Sequence, residues 1–201
     1  VLPTEQRVRV MSLVKDGCRL PFDERPSSPL RTLSNHPKLH ERRSDVWESV
    51  KEQIGISAVE PWDCKARSDV EVLPLGMYPI RWVAKAGSDR VRLTINMRPL
   101  NAFLSKDCTT CELGTLHKGR HLWQPLDYQV SFDARSAYYH LEYGPVGELE
   151  DTKWLGFSLD DSELPEGAVE YLTHRCPEAR WGSRWVFTYR GLAMGCSPSS
   201  A

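Results

Sequence analysis

Between Tyr78 and Met97 two runs of the chain alternate apolar and polar side chains around a short polar turn, and few structures accommodate that pattern. The first run is Tyr78-Pro-Ile-Arg-Trp-Val-Ala-Lys85. The second is Arg90-Val-Arg-Leu-Thr-Ile-Asn-Met97, and Ala86-Gly-Ser-Asp89 between them reads as a hairpin turn. With Lys85 opposite Arg90, Ala84 meets Val91, Trp82 meets Leu93 and Ile80 meets Ile95, all on one face. Arg81, Lys85, Arg90 and Arg92 then gather on the other face. Slipping the register by one residue would drive those charges into the core, so the pairing is strongly specified. The expected product is a hairpin with an apolar side and a cationic side. Clustered cations repel one another unless an anion visits, and phosphate is the obvious visitor. A plain solvated face with counter-ions is the alternative.

The rest of the composition sets bounds. The 201 residues suffice for one large domain or two small ones, and an apolar content of 40% permits a packed core. A net charge of -1 gives no bulk attraction for nucleic acid, so any such binding must come from a local basic face. Six cysteines without a secretory leader read as intracellular thiols, which places the chain in the cytoplasm or nucleus. No apolar run approaches the roughly 18 residues a membrane span requires, so no membrane partner is expected.

Residues 1–60 are expected to form an N-terminal arm and a helix. Pro21, Pro26, Pro29 and Pro37 with Ser27-Ser28 suggest a linker or a surface-draped arm. Ser44 reads as a helix cap and Asp45 as a first-turn acid. Val46, Trp47, Val50 and Ile54 fall on one face, and Gly55 is the stop. Further on, Cys108, Cys111, His117 and His121 have the residue types of a zinc site. The gap from Cys111 to His117 is too short for the usual finger, so a short helix buried by Leu113, Leu116 and Trp123 is preferred over zinc.

Val130-Ser-Phe-Asp133 alternates as a half-buried strand and holds Asp133 at its end, with Tyr138-Tyr139 following. A carboxylate on a rigid strand end suits metal binding, although most such residues are solvated turn acids. Thr152 to Leu159 reads as another strand. Residues 158–183 form an acidic excursion, expected as a surface insertion with a short helix near Ala168 to His174. Arg184 to Arg190 is again a strand. Gly191-Leu-Ala-Met-Gly195 is a loop that lets a ligand approach the backbone, and Ser197-Pro198 opens a helix. A helix opened so near the last residue suggests part of a larger protein.

In order, these motifs resemble reverse transcriptases, especially those of long-terminal-repeat and DIRS-like retrotransposons. Pro74 to Lys85 and Val91 to Asn101 are similar to the first two fingers strands. Phe132-Asp-Ala-Arg-Ser-Ala-Tyr-Tyr-His-Leu141 resembles the first catalytic palm motif, and Phe187 to Pro198 the glycine-containing motif that follows. The resemblance covers about Glu71 to Ala201. It implies an α+β fold of the right-hand polymerase type, with a fingers subdomain over 61–129 and the first part of an antiparallel palm sheet over 130–201. It implies template-directed deoxynucleotidyl transfer by two magnesium ions, with Asp133 and the Ala134 carbonyl as metal ligands. Lys85 and Arg92 would hold the nucleotide triphosphate, Tyr138 would select deoxyribose, and Met194 and Gly195 would meet the base pair and template. Template-primer, deoxynucleotides and the remainder of the polymerase are the implied partners.

Three departures follow. The second palm carboxylate motif, two aspartates after an aromatic, has no counterpart after the glycine loop, so this chain by itself is expected to be inactive. Ser158-Leu-Asp-Asp161 precedes that loop and is in the wrong order to substitute. Residues 158–183 replace a tight connection, and Asn96 stands where many relatives carry an acid. A non-catalytic structural or RNA-binding descendant is the alternative reading.

Overall fold

The computed structural model describes residues 17–65, 72–85, 87–105, 142–143 and 151–191, together with Val8 and Met11. These residues form a mixed α+β structure with a six-stranded sheet, a separate two-stranded hairpin and few helices. The strands are β1 (Leu30–Arg31), β2 (Val59–Pro61), β3 (Gly76–Met77), β4 (Ile80–Ala84), β5 (Val91–Ile95), β6 (Gly156–Asp160), β7 (Arg180–Trp181) and β8 (Arg184–Tyr189). The helices are α1 (Arg43–Gly55), α2 (Arg98–Asn101) and α3 (Ala168–Arg175).

The hairpin has the register its alternation demands. Ile80 pairs with Ile95, Trp82 with Leu93 and Ala84 with Val91. The Lys85 amide donates to the Arg90 carbonyl at 3.1 Å, which sets those two cations opposite each other. Ile80, Leu93 and Ile95 are buried in the main core, whereas Ala84 toward the tip is exposed.

The large sheet runs β1-β3-β6-β8-β2, with β7 also on β8. The described strands it takes from 130–201, β6, β7 and β8, pair antiparallel, and the parallel pairs are added by β1 and β3. β1 pairs β3 and β3 pairs β6 in parallel, while β6, β2 and β7 all meet β8 antiparallel. The two-residue parallel strands β1 and β3 are too short to carry a period, so nothing in the local pattern marks them. β8 is buried on both faces. Trp185, Phe187 and Tyr189 enter the main core, and Val186 joins Met77 and Cys64 on the other side.

The N-terminal arm is built in rather than draped. Its Leu20 and Leu39 are buried, and the Leu20 amide donates to the buried Asp151 carboxylate at 2.9 Å. β1 is its contribution to the sheet. The 158–183 stretch likewise inserts Leu164, Ala168, Leu172 and Ala179 into the core while exposing Glu166 and Glu170. Its helix α3 spans Ala168–Arg175, close to expectation. The strand expected from Thr152 begins instead at Gly156, after a 3-10 turn over Thr152–Trp154.

Helix α1 buries Val46, Trp47 and Val50 as expected. Ser44 is not its cap. A 3-10 turn over Pro37–Arg42 runs directly into the helix, whose own N-cap position, Arg42, makes no side-chain cap bond; His36 caps the 3-10 turn, its Nδ1 accepting from the Lys38 amide at 3.2 Å. The helix ends at Gly55, and the left-handed residue that closes it is Ser57, at φ 57°. Ser57 and Ala58 donate back to Ile54 and Gln53 at 3.0 and 2.9 Å, the two bonds of a Schellman closure.

Cys18, Cys64 and Cys176 are buried and form no disulfide, and burial pushes the Cys18 and Cys176 thiols up, which keeps them protonated and unreactive. Among the described residues no helix is long and apolar enough to cross a membrane.

Asp160 and Asp161 hold the β6–β8 end together. Asp161 binds Arg180 through two oxygens at 2.6 Å each and accepts from Trp185 Nε1 at 3.0 Å. Asp160 and Glu163 form a capping box on the turn Asp161–Glu163. Burial works against the Asp160 charge. Hydrogen bonds from Ser183 and Ser162 and the charge of Arg184 outweigh it, holding the carboxyl below its usual range. A folded value below the unfolded one means that folding is favoured above the unfolded pKa of about 3.9 and loses this increment as pH falls through the folded value. We therefore expect Asp160→Asn to be less stable than wild type at neutral pH, with the difference shrinking below about pH 4. Urea midpoints at neutral and acid pH check this; a difference constant across pH would refute it.

Candidate nucleic-acid interface

The cationic face of the hairpin follows from its register. Arg81 lies opposite Thr94, Arg92 opposite Val83, and Lys85 opposite Arg90. All four cations are exposed. Lys85 and Arg92, the two assigned to a triphosphate, are therefore diagonal neighbours on one face, about 7–8 Å apart at Cα. At that spacing in water two like charges repel by only about 0.6 kcal/mol. Repulsion of that size does not by itself require a ligand. The stronger signal is where this face leads.

At the foot of the hairpin a cleft of 550 Å³ opens between three segments: Ser34 to His36, Pro79 to Arg81, and Thr94 to Arg98. Arg81 and Arg98 line it, and no carboxylate does. Thr94 Oγ1 accepts from Arg81 Nε at 3.2 Å, which orients the guanidinium along the strand. Among the described residues neither arginine, nor Lys85, Arg90 or Arg92, forms an ion pair. By contrast Arg180, Arg184 and Arg190, near the sheet, each pair with a carboxylate. The fold thus neutralises its arginines in one region and leaves them available in another.

The arm positions this site. The Asn35 side chain accepts from the Ile80 amide at 2.9 Å and donates to the Ser158 carbonyl and Glu163 at 2.7 and 2.8 Å. The Trp82 indole donates to the Lys38 carbonyl at 2.8 Å. Arg42 reaches the Asp89 carbonyl at 2.7 Å and lies over the Trp82 ring at 5.9 Å. His36 and Arg98 are members of the cleft that reading the sequence did not single out. A cap residue ahead of Pro37 was the available sign for His36, but only the tertiary fold sets it beside Arg81.

Asp133, Ala134, Tyr138, Met194 and Gly195 lie outside the described residues, as do Cys108, Cys111, His117 and His121. Among the described residues no group of three or more metal-ligating side chains occurs. The segments flanking the two palm-like motifs do meet. Glu142 bridges Gly191, the Tyr143 amide donates to the Arg190 carbonyl at 2.8 Å, and Arg190 holds both Glu60 and Glu142, at 2.5 and 3.2 Å. Asp160 and Asp161, the tempting acid pair, are committed to the Arg180, Ser162 and Ser183 contacts above.

No family model and no curated protein matches the chain.

Proposed function

We propose that this chain is a nucleic-acid-binding portion of a retroelement reverse transcriptase, with the β4–β5 hairpin as part of its fingers. The observation that carries the reading is the cationic face with its carboxylate-free cleft, where Lys85 and Arg92 stand together at the positions that the family motif assigns to triphosphate binding. Exposed cations on a rigid ladder attract phosphate without reorganising, and their contribution falls with salt. The meeting of Glu142–Tyr143 with Arg190–Gly191 also supports it, since the residues after one palm-like motif adjoin the next.

In this reading Asp133 and the Ala134 carbonyl hold magnesium, which when bound would activate a primer hydroxyl and stabilise the leaving pyrophosphate. Lys85 and Arg92 orient the triphosphate and offset its charge. A second reading is a non-catalytic RNA-binding descendant, which would use the same cationic face and cleft.

Binding to a labelled RNA template annealed to a DNA primer, with magnesium, tests both. The polymerase reading expects the matching deoxynucleotide to tighten the complex and a mismatched one not to. Lys85→Ala, Arg92→Ala and Asp133→Ala should each remove that tightening. Binding indifferent to nucleotide selects the non-catalytic reading. Binding unaffected by Lys85→Ala with Arg92→Ala, in affinity and in salt slope alike, rejects the hairpin as the interface.

A further inference from the structure

We infer that His36 is a proton-linked anion contact of the hairpin cleft: neutral, it caps the turn that begins at Pro37; protonated, it binds phosphate beside Arg81 and Arg98. The inference rests on the nucleic-acid reading above and adds control by pH to it. The His36 amide donates to the Ile80 carbonyl at 3.2 Å, which fixes the residue one position from Arg81 on the neighbouring strand. Its side chain lines the cleft. Nδ1 accepts from the Lys38 amide at 3.2 Å. A nitrogen that accepts carries no proton, so in this arrangement the ring is neutral and its one N–H is on Nε2.

Adding a proton from solvent to Nδ1 removes the cap acceptor and sets two N–H groups against each other. It also adds a third positive charge to a cleft that already holds two. The charged and titratable groups around His36 are Arg81 from β4, Arg98 from α2, and Lys38, His40, Glu41 and Arg42 from its own turn, Arg42 being paired with Asp45 of α1. Glu163, from the turn that follows β6, reaches the adjacent Asn35, but its Oε2 already accepts from the Asn35 side chain and the Asp160 amide at 2.8 Å each. Among the described residues no carboxylate lines the cleft itself to stabilise an imidazolium. A phosphodiester in the cleft would supply the missing negative charge and offset the lost cap. Proton uptake and anion binding are then linked, and each favours the other.

The test measures anisotropy of fluorescein-labelled oligouridylate with the full chain, at fixed salt, at about pH 8 and about pH 6. Wild type is expected to bind about three- to tenfold more tightly at the lower pH. His36→Asn keeps a good cap acceptor but cannot gain charge. It should fold, match wild type at the higher pH, and lose the pH dependence. A pH dependence that survives in His36→Asn assigns the effect to other groups, His40 among them, and overturns the inference while leaving the nucleic-acid reading intact. No binding of oligouridylate at either pH overturns both. As an independent readout, the His36 ring ¹⁵N signals near neutral pH should move toward the protonated positions on adding oligouridylate; signals that stay put overturn the inference.

Discussion

Phe157→Ala is expected to cost about 3–5 kcal/mol of folding stability, the largest effect of any single side-chain truncation considered. Phe157 sits on β6 at the centre of the sheet and is fully buried. Its ring stacks on Phe187 at 5.3 Å between centroids and tilts against Tyr189 at 5.4 Å. Removing it takes away the transfer free energy of the ring and leaves a cavity between two partners that are themselves locked. Phe187 and Tyr189 are held by the β6–β8 and β2–β8 ladders, so the backbone cannot collapse inward to fill the space. The aromatic contacts add about 0.5–1.5 kcal/mol beyond area alone. Domains of this size have total stabilities of about 5–15 kcal/mol, so the variant approaches the edge of folding. Phe157→Leu, which keeps most of the volume, should cost far less. Urea unfolding of the three proteins decides the matter; a loss below about 1 kcal/mol for the alanine variant would show that this aromatic cluster is not the core.

Gly76→Ala is the second large effect, and it comes from adding one carbon rather than removing six. Gly76 lies in β3, paired with Leu30 on one side, next to the position where Met77 meets Gly156 on the other. A Cβ there would collide with the Trp154 carbonyl oxygen and come within 2.5 Å of Tyr78 Oη. Backbone oxygen cannot rotate away as a side chain can. Trp154 is itself anchored, buried at the end of a 3-10 turn that leads straight into β6. We expect a cost of about 2 kcal/mol or more, read as a lower thermal midpoint. Gly55→Ala is the matched control. Nothing lies within 4 Å of a Cβ at that position, and Gly55 has a helical conformation. That variant should be neutral or gain about 0.4–1 kcal/mol. Equal losses at both positions would mean that close strand approach is not the cause.

The parts of the molecule that were legible in its sequence are those where local pattern and tertiary burial agree. The hairpin register was fixed by alternation because a slip would have buried four cations, and Ile80, Leu93 and Ile95 are indeed buried. The face of α1 and the strand β8 followed from the same logic. What escaped was structure whose signal is not periodic. β1 and β3 have two residues each, and their parallel pairing depends on chain segments far apart. Ser44 had the right chemistry for a cap, but a 3-10 turn capped by His36 runs straight into the helix and puts Arg42, with no side-chain cap bond, at its N-cap position. Leu164 and Leu172, read within an acidic surface stretch, are core residues because the intervening glutamates point outward. Within the candidate site, Lys85 and Arg92 could be put on one face from register alone. The cleft could not, since it needs the arm to cross beside β4.

That crossing has a mechanical consequence. Among the described residues the hairpin shares no ladder with the six-stranded sheet. Its cross-links in front of the sheet run to the arm: Asn35 and His36 to Ile80, Lys38 to Trp82, and Arg42 to Asp89. A strand of polymer drawn across the cationic face would exert torque on the hairpin, and those four residues would feel it first. Asn35 passes it onward to β6 and the turn after it, through its bonds to Ser158 and Glu163. The arm therefore acts as the strut of this structure, and Asn35 as the rivet that fastens strut to frame.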